Sequence, residues 1–362
     1  MLKAIVVGGG IAGSFVSHFL NRAGVNVTMI TGKVSYPSIG LIHSMLLRFD
    51  SDMKLAKRTL EIYKSLGKCC GWTLREYPAY TFIGDDVDRK RYIELWSSYG
   101  SPSKEITINE ASQLIGVKLM EGGRVILSVD RLVNIAGIIR HIRSGIKVEN
   151  GFAALRSDSN GFAVSVNGTE YRGDVVIMAA GAINGTLLKR AGIKIPLKSY
   201  GCRALLFLVG SRLDNVIIYD YVNHFYMRPA MPLMASIGDE ESPIVDPLNM
   251  PKLIDNAFVD SMKKSFRARF GRTPINLVGR QGACESSPDM FPIIGEVRPG
   301  LYVVGAFNGY GAEVGPALAE ALADIILNRK TRIDASRYLV NRYLGAPISD
   351  DWEIGHEPHE IL

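Results

Sequence analysis

Gly8, Gly10 and Gly13 stand in G-x-G-x-x-G spacing directly after the apolar run 4–7, and they are the first residues in the chain whose pattern can do chemistry. Each has a mechanical use: a tight turn, close backbone approach to a pyrophosphate, and close helix–strand contact. Ile11 and Ala12 open a helix that Gly24 ends, and residues 25–30 read as a second strand. The phosphates of a dinucleotide then lie at the helix start, where unpaired N–H groups and the helix dipole favour an anion. Such a fingerprint should end on an Asp or Glu for the adenosine ribose. Here that place holds Thr31, followed by Gly32 and Lys33. A threonine hydroxyl makes one hydrogen bond there, and Lys33 suits a 2′-phosphate, so this end of the chain leaves FAD and NADP both open.

A second glycine-rich stretch lies near the other end. Gly282-Ala-Cys284-Glu285 leads through Ser287-Pro288-Asp289-Met-Phe-Pro292-Ile-Ile-Gly295 and a strand at 301–304 to Phe307-Asn308-Gly309-Tyr310-Gly311-Ala312-Glu313. The expected form is strand, glycine turn and a helix over 314–328 with Pro316 in its first turn. Such a helix start can stabilise negative charge on a ligand.

Taken with the first fingerprint, this stretch resembles the D-amino-acid oxidase superfamily of FAD enzymes, in its glycine oxidase and sarcosine oxidase branch. Ser287 to Gly295 is similar to the family's PDxxPxIG segment, and Phe307 to Gly311 to its flavin-capping turn. Asp174-Val-Val-Ile-Met-Ala-Ala-Gly181-Ala is similar to its ADxVVxAAGA strand, and Val129-Asp130-Arg131-Leu132 to its VDPxxL. Tyr226-Met-Arg228-Pro229 followed by Ile237-Gly238 is similar to its substrate-domain strands. The resemblance covers nearly the whole chain and implies FAD, held without a covalent bond, as hydride acceptor from a carbon bearing an amine. It implies a cofactor cradle of Gly8, Gly10, Ile11, Ala12, Gly13, Thr31, Gly32, Lys33, Ile39, Gly40, Ala180, Gly181, Gly309, Tyr310, Gly311 and Ala312. His43 and His224 fall in segments that should approach the flavin, and Tyr226 matches a substrate-site tyrosine.

The departures from the family pattern bear on the substrate. Branch members carry a carboxylate-binding arginine where this chain has Cys284, or a lysine where it has Glu313. Residues two apart on a strand share a face, so Arg280 can serve in place of Cys284, and Arg228 is a second candidate anchor. Without either arginine, Glu285 and Glu313 would suit a cation. An oxygen-activating lysine of the branch matches Ser236, which points to a dehydrogenase.

The resemblance implies an amino acid or secondary amine as substrate. The alternatives are a 2-hydroxy acid or glycerol phosphate oxidoreductase and a flavoprotein electron-transfer subunit. The electron acceptor (quinone, dye or partner flavoprotein) is not specified by the sequence, and a homo-oligomer is compatible with it.

The elements that must position these residues follow from pattern. With 362 residues, 47% hydrophobic and 22% charged, the chain has the composition of a globular protein of two interleaved domains. The net charge of +6 is dispersed, which argues against a nucleic-acid partner. No run is long and apolar enough for a membrane helix, no signal-peptide layout opens the chain, and a cytoplasmic location is expected. Four cysteines make no disulfide framework. The expected fold is α/β: a Rossmann-like FAD-binding domain over 1–74, 125–196 and 285–362, interleaved with a substrate domain over 75–124 and 197–284 built on a mostly antiparallel sheet. Helices are expected at 46–68, 88–99, 108–114 with Asn109 as cap, 131–144 and 253–270.

Overall fold

The computed structural model describes residues 1–32, 39–42, 47, 49–67, 69, 71–85, 87–159, 161–239, 243–250, 254–345 and 351–354. Lys3–Val7 is short and apolar, with Ala4, Ile5 and Val6 wholly buried, as a strand covered on both faces must be. It pairs in parallel with Asn26–Thr31 on one side and Val175–Met178 on the other. The six described strands of this sheet run Ile293–Arg298, Leu301–Gly305, Val175–Met178, Lys3–Val7, Asn26–Thr31, Lys147–Asn150. All pair in parallel except Ile293–Arg298, which lies antiparallel at the edge. A small antiparallel sheet of Ala154–Asp158, Gly161–Val166 and Thr169–Arg172 adjoins it.

Helices Ile11–Arg22 and Gly311–Ile326 pack side by side in the core on one face of the six-stranded sheet. The second begins earlier than the pattern suggested, so Pro316 is its sixth residue and not part of its first turn. Proline has no N–H to give the carbonyl four residues back. The buried hydroxyl of Tyr63 donates to that carbonyl, Ala312 O, at 2.7 Å, and the next amide, Ala317 N–H, donates to Thr59 Oγ1 at 3.3 Å. Both side chains come from Asp50–Ser65, so this helix repairs the break its neighbour contains.

The second, nine-stranded sheet runs Ile275–Ser286, Lys198–Leu208, Met234–Gly238, Phe225–Met231, Ile217–Asp220, Leu74–Ile83, Arg124–Val133, Gly40–Ile42, with Lys104–Ile106 also on Arg124–Val133. It is antiparallel apart from the Ile217–Asp220 pairing with Leu74–Ile83. Side chains alternate between its faces. One face sets Leu205, Phe207, Ile218, Phe225, Met227, Ala235 and Ile237 against Phe258, Met262, Phe266 and Phe270 of helix Asn256–Phe270. The other, bearing Ile217, Tyr219 and Tyr226, joins the core under the first sheet's helices.

Three expectations need correction. Residues 131–133 finish the strand Arg124–Val133, which pairs along its length with Leu74–Ile83, so the 131–144 helix shrinks to Ile135–Ile142. A division at 124/125 therefore separates this strand from the sheet it belongs to. Thr107, not Asn109, caps Ile108–Ile115, because its hydroxyl and the Glu110 carboxylate form a reciprocal capping box. Cys202 and Cys284 form a disulfide between neighbouring strands, with Cα atoms 6.1 Å apart. Spacing gave no signal for this pair, since their separation of 82 residues becomes adjacency only through sheet pairing. Among the described residues no helix is long and apolar enough to cross a membrane, and no group of three or more His, Cys, Asp or Glu could hold a metal.

Candidate active site

Parallel strands end on one edge of a sheet, and ligands of open α/β sheets bind beyond those carboxyl ends where the strand order reverses. Lys3–Val7 lies at that point, and its loop, Gly8 to Gly10, meets the loops that follow two other strands. At Gly8 (φ +121°) an added Cβ would lie 2.0 Å from Ala179 O and 2.9 Å from Ala180 Cα, so the first loop lies against the turn holding Ala180 and Gly181. At Gly13 a Cβ would lie 2.0 Å from Gly8 O, and at Gly311 it would lie 3.2 Å from Ile11 Cγ2. The glycine motifs of the two chain ends therefore touch at the starts of their helices. Gly40 joins them, since a Cβ there would stand 2.6 Å from Ala312 Cβ. Gly10 differs: a Cβ there would meet nothing within 4 Å. Gly10 also caps the helix without a side-chain bond, and no acidic residue lies in its first turn. A helix start with free N–H groups, no anion of its own and open space in front fits a pyrophosphate.

Beside Thr31 the structure places a residue the sequence reading missed. A Cβ on Gly9 would fall 2.4 Å from Thr31 Oγ1 and 2.6 Å from Arg143 Nη2, so the bare glycine admits both side chains. Arg143 caps the end of Ile135–Ile142 and donates from Nε to Ser14 Oγ at 3.0 Å. Its signal was hidden because it arrives from a third βα segment. Gly32 follows Thr31 and is exposed, and Ile39 precedes the buried Gly40. Lys33 and His43 lie outside the described residues.

Across from this edge, the open face of the nine-stranded sheet gathers a polar group. Tyr226 pairs with Gly238 and Arg228 with Ser236. The Tyr226 phenol lies over Gly238, where a Cβ would come within 2.5 Å of its oxygen. Tyr219 pairs with Tyr226 and donates its hydroxyl to Asp130 Oδ2 at 2.8 Å. Burial first, then the Asp130 charge, holds the Tyr219 hydroxyl well above the ordinary tyrosine range. Arg228 is half-buried in this group. Burial lowers its pKa, the neighbouring Tyr226 and Tyr219 raise it, and it remains a cation. Among the described residues no carboxylate pairs with it. Asp130 was within a recognised motif, but only strand register shows it reaching Tyr219.

Arg280 shares this face at its far margin. It pairs with Ala204, which neighbours Gly238 in register, so Arg280, Ala204, Gly238 and Tyr226 form one cross-strand row. Arg280 is exposed. Two further expectations change. His224 is exposed in the turn before Phe225–Met231. Glu285 does not line a cation pocket with Glu313: its carboxylate accepts from Ala306 N–H at 3.1 Å, Asn184 Nδ2 at 3.2 Å and Gly185 N–H at 3.2 Å. Glu313 is fully buried in the first turn of Gly311–Ile326, where its charge acts on Tyr63, Tyr219 and Asp52.

A two-sheet α/β protein with a dinucleotide edge facing a polar sheet face defines a class, and the comparisons identify it. The model of the FAD-dependent oxidoreductase family matches residues 3–325, and the chain belongs to that family. It is an enzyme that uses FAD for oxidation–reduction. It is similar to a glycine oxidase of Pseudomonas aeruginosa, 24% identical over 93% of this chain and 98% of that protein. Among solved structures it resembles the L-proline dehydrogenase of P. horikoshii, with TM-score 0.83 and 20% identity over 94% of this chain and 97% of the other. It also resembles the glycine oxidase of Geobacillus kaustophilus, with TM-score 0.80 and 17% identity over 95% and 100% of the two chains.

Proposed function

We propose that this protein oxidises an amino acid, or a secondary amine carrying a carboxylate, and that Arg228 anchors the carboxylate. The observation that carries this reading is a half-buried cation with no acidic partner among the described residues, set beside two tyrosines on the sheet face opposite the glycine edge. A guanidinium matches a carboxylate in shape as well as charge, so a substrate acid would complete what the protein leaves incomplete. Tyr226 would add a hydroxyl contact, and Tyr219, tied to Asp130, would hold the phenol row in place. Arg280 at the margin would draw in an anion rather than fix it. The names of the relatives, glycine oxidase and L-proline dehydrogenase, agree with an amino-acid substrate.

We assign the FAD cradle to Gly8, Gly10 to Gly13, Thr31, Gly32, Ile39, Gly40, Ala180, Gly181 and Gly309 to Ala312. When bound, FAD supplies the hydride acceptor; the chain's own residues bind, orient and exclude water. Attachment is non-covalent, because Cys284 is committed to Cys202; flavin that stays with acid-precipitated protein would contradict this. We further propose a dehydrogenase, since Ser236 offers a dipole but no fixed charge for oxygen activation.

The decisive experiment is anaerobic bleaching of the flavin absorbance by a panel of amino acids, secondary amines, amines without a carboxylate and 2-hydroxy acids. Amino acids or carboxylated amines should bleach it fastest. Preference for a hydroxy acid would replace the reading, and no bleaching by any member would favour an electron-transfer subunit. Slow reoxidation by air-saturated buffer, beside fast reduction of a dye, is expected of a dehydrogenase.

A further inference from the structure

We propose that Glu285 is a positioning residue for the bound flavin, whose carboxylate ties the two loops bordering the cofactor edge to the end of the substrate-face strand. The proposal rests on FAD as cofactor and not on the choice of substrate. Glu285 is the penultimate residue of the strand Ile275–Ser286 and is 4% exposed. Its Oε2 accepts from Ala306 N–H and Asn184 Nδ2, and its Oε1 from Gly185 N–H. Asn184 extends the tie, with Oδ1 accepting from Ala180 N–H at 2.7 Å and Nδ2 also donating to Val304 O at 3.3 Å. The Glu285 carbonyl accepts from Asn308 N–H at 3.2 Å. One side chain and its amide partner thus join the turn holding Ala180 and Gly181, the loop leading to Gly309, and the strand that carries Arg280 and Cys284.

Several features mark the arrangement as built for this carboxylate. Every group that Glu285 receives is an N–H donor, and an acceptor-only group is what three donors require. Gly305 makes room for it, since a Cβ there would lie 2.6 Å from Glu285 Oε2 and 2.5 Å from Asn184 Nδ2. Ala306 (φ 55°) and Asn308 (φ 47°) hold left-handed backbone, which non-glycine residues keep only when their surroundings enforce it. Both amides are bound by Glu285. Among the described residues no cation pairs with the carboxylate, and burial pushes it up to about 7, with the three donors pulling the other way. A purely packing role would not call for such a group.

The test is titration of apoprotein with FAD, followed by quenching of flavin fluorescence and by the visible flavin spectrum, for Glu285→Ala, Glu285→Gln, Asn184→Ala and the Glu285→Ala/Asn184→Ala pair. Glu285→Ala should weaken FAD binding about tenfold or more and alter the fine structure of the flavin bands. Glu285→Gln should fall between it and wild type: its carbonyl can replace Oε2, while its NH₂ opposes Gly185 N–H. The double variant should bind FAD no more than about threefold worse than the weaker single, because the two side chains act as one tie. Wild-type affinity and spectrum in a folded Glu285→Ala, or additive losses in the double variant, would overturn the proposal. If Glu285→Ala does not fold, Asn184→Ala and Glu285→Gln decide, and wild-type FAD affinity in both overturns it. No substrate enters these measurements, so their failure leaves the amino-acid reading standing.

Discussion

The edge of the six-stranded sheet and the open face of the nine-stranded sheet face one another, but they are made differently. At the edge, what matters is backbone and absent side chains: Gly8 and Gly13 sit where a Cβ would strike a carbonyl oxygen at 2.0 Å, and Gly10 fronts open space. On the sheet face, what matters is side-chain chemistry: Arg228, Tyr226, Tyr219 and Asp130 are brought together by register alone. At Gly8 and Gly13 the edge has little freedom to vary, because any side chain there collides with backbone. The face owes its chemistry to side chains, so an exchange at Arg228 or Tyr226 alters charge and hydrogen bonding rather than backbone packing.

The strongest way to break the comparison is at Gly8. Gly8→Val must resolve an overlap with Ala179 O while adopting φ +121°, a conformation closed to β-branched residues. The expected protein contains no bound FAD, and its melting point falls as well. Retention of flavin at wild-type stoichiometry would mean that the edge is not the cradle.

On the face, Arg228→Met keeps the length of the stem and removes the charge. The loss of a charge-assisted contact is about 1.5–3 kcal/mol, roughly 10- to 150-fold in kcat/KM for the best substrate. FAD content should not change. Unchanged kinetics would move the anchor elsewhere, and lost flavin would place Arg228 at the cofactor instead.

These two sites also differ in how readable they were. Gly8, Gly13, Gly309 and Gly311 were legible because close contacts or a left-handed backbone select glycine, and Gly10 because it completes the same local strand–loop–helix spacing. Ala180 and Gly181 were legible by resemblance of a whole strand. Arg143, Asn184 and the Cys202–Cys284 bridge were not, because each acts on a distant segment and nothing in its own neighbourhood departs from an ordinary helix or strand. Arg228 was legible as a candidate, but only the pairing with Ser236 and its lower exposure separate it from Arg280. Helix limits failed where tertiary contacts override pattern: Pro316 sits inside a helix, where Tyr63 donates to the carbonyl that proline leaves without an N–H donor and Thr59 accepts from the next amide.

The disulfide sharpens the comparison, since it lies on the face but not in the polar group. Closing a loop of 82 residues should stabilise the fold by ~2–4 kcal/mol through the unfolded chain. Cys202→Ser/Cys284→Ser should therefore melt several degrees lower and keep its FAD and its substrate preference. A changed preference with unchanged melting would show that the bridge shapes the pocket rather than supporting the sheet.

Arg280 should give the smallest effect. It shares a row with Tyr226, but Ala204 and Gly238 intervene, and adjacent strands lie about 4.8 Å apart. Three such steps put its strand about 14 Å from that of Tyr226, near the full reach of an arginine from each side. Its exposure leaves its charge screened by water and salt, and exposed ion pairs contribute about 0–1 kcal/mol. Arg280→Ala should lower kcat/KM for an anionic substrate by no more than about fivefold, chiefly through KM, and the difference from wild type should vanish at high ionic strength. A larger loss that persists in high salt would mean that a substrate carboxylate bridges to Arg280 across the Ala204–Gly238 floor. The anchor would then lie at the margin, and Arg228 would serve the phenol row instead.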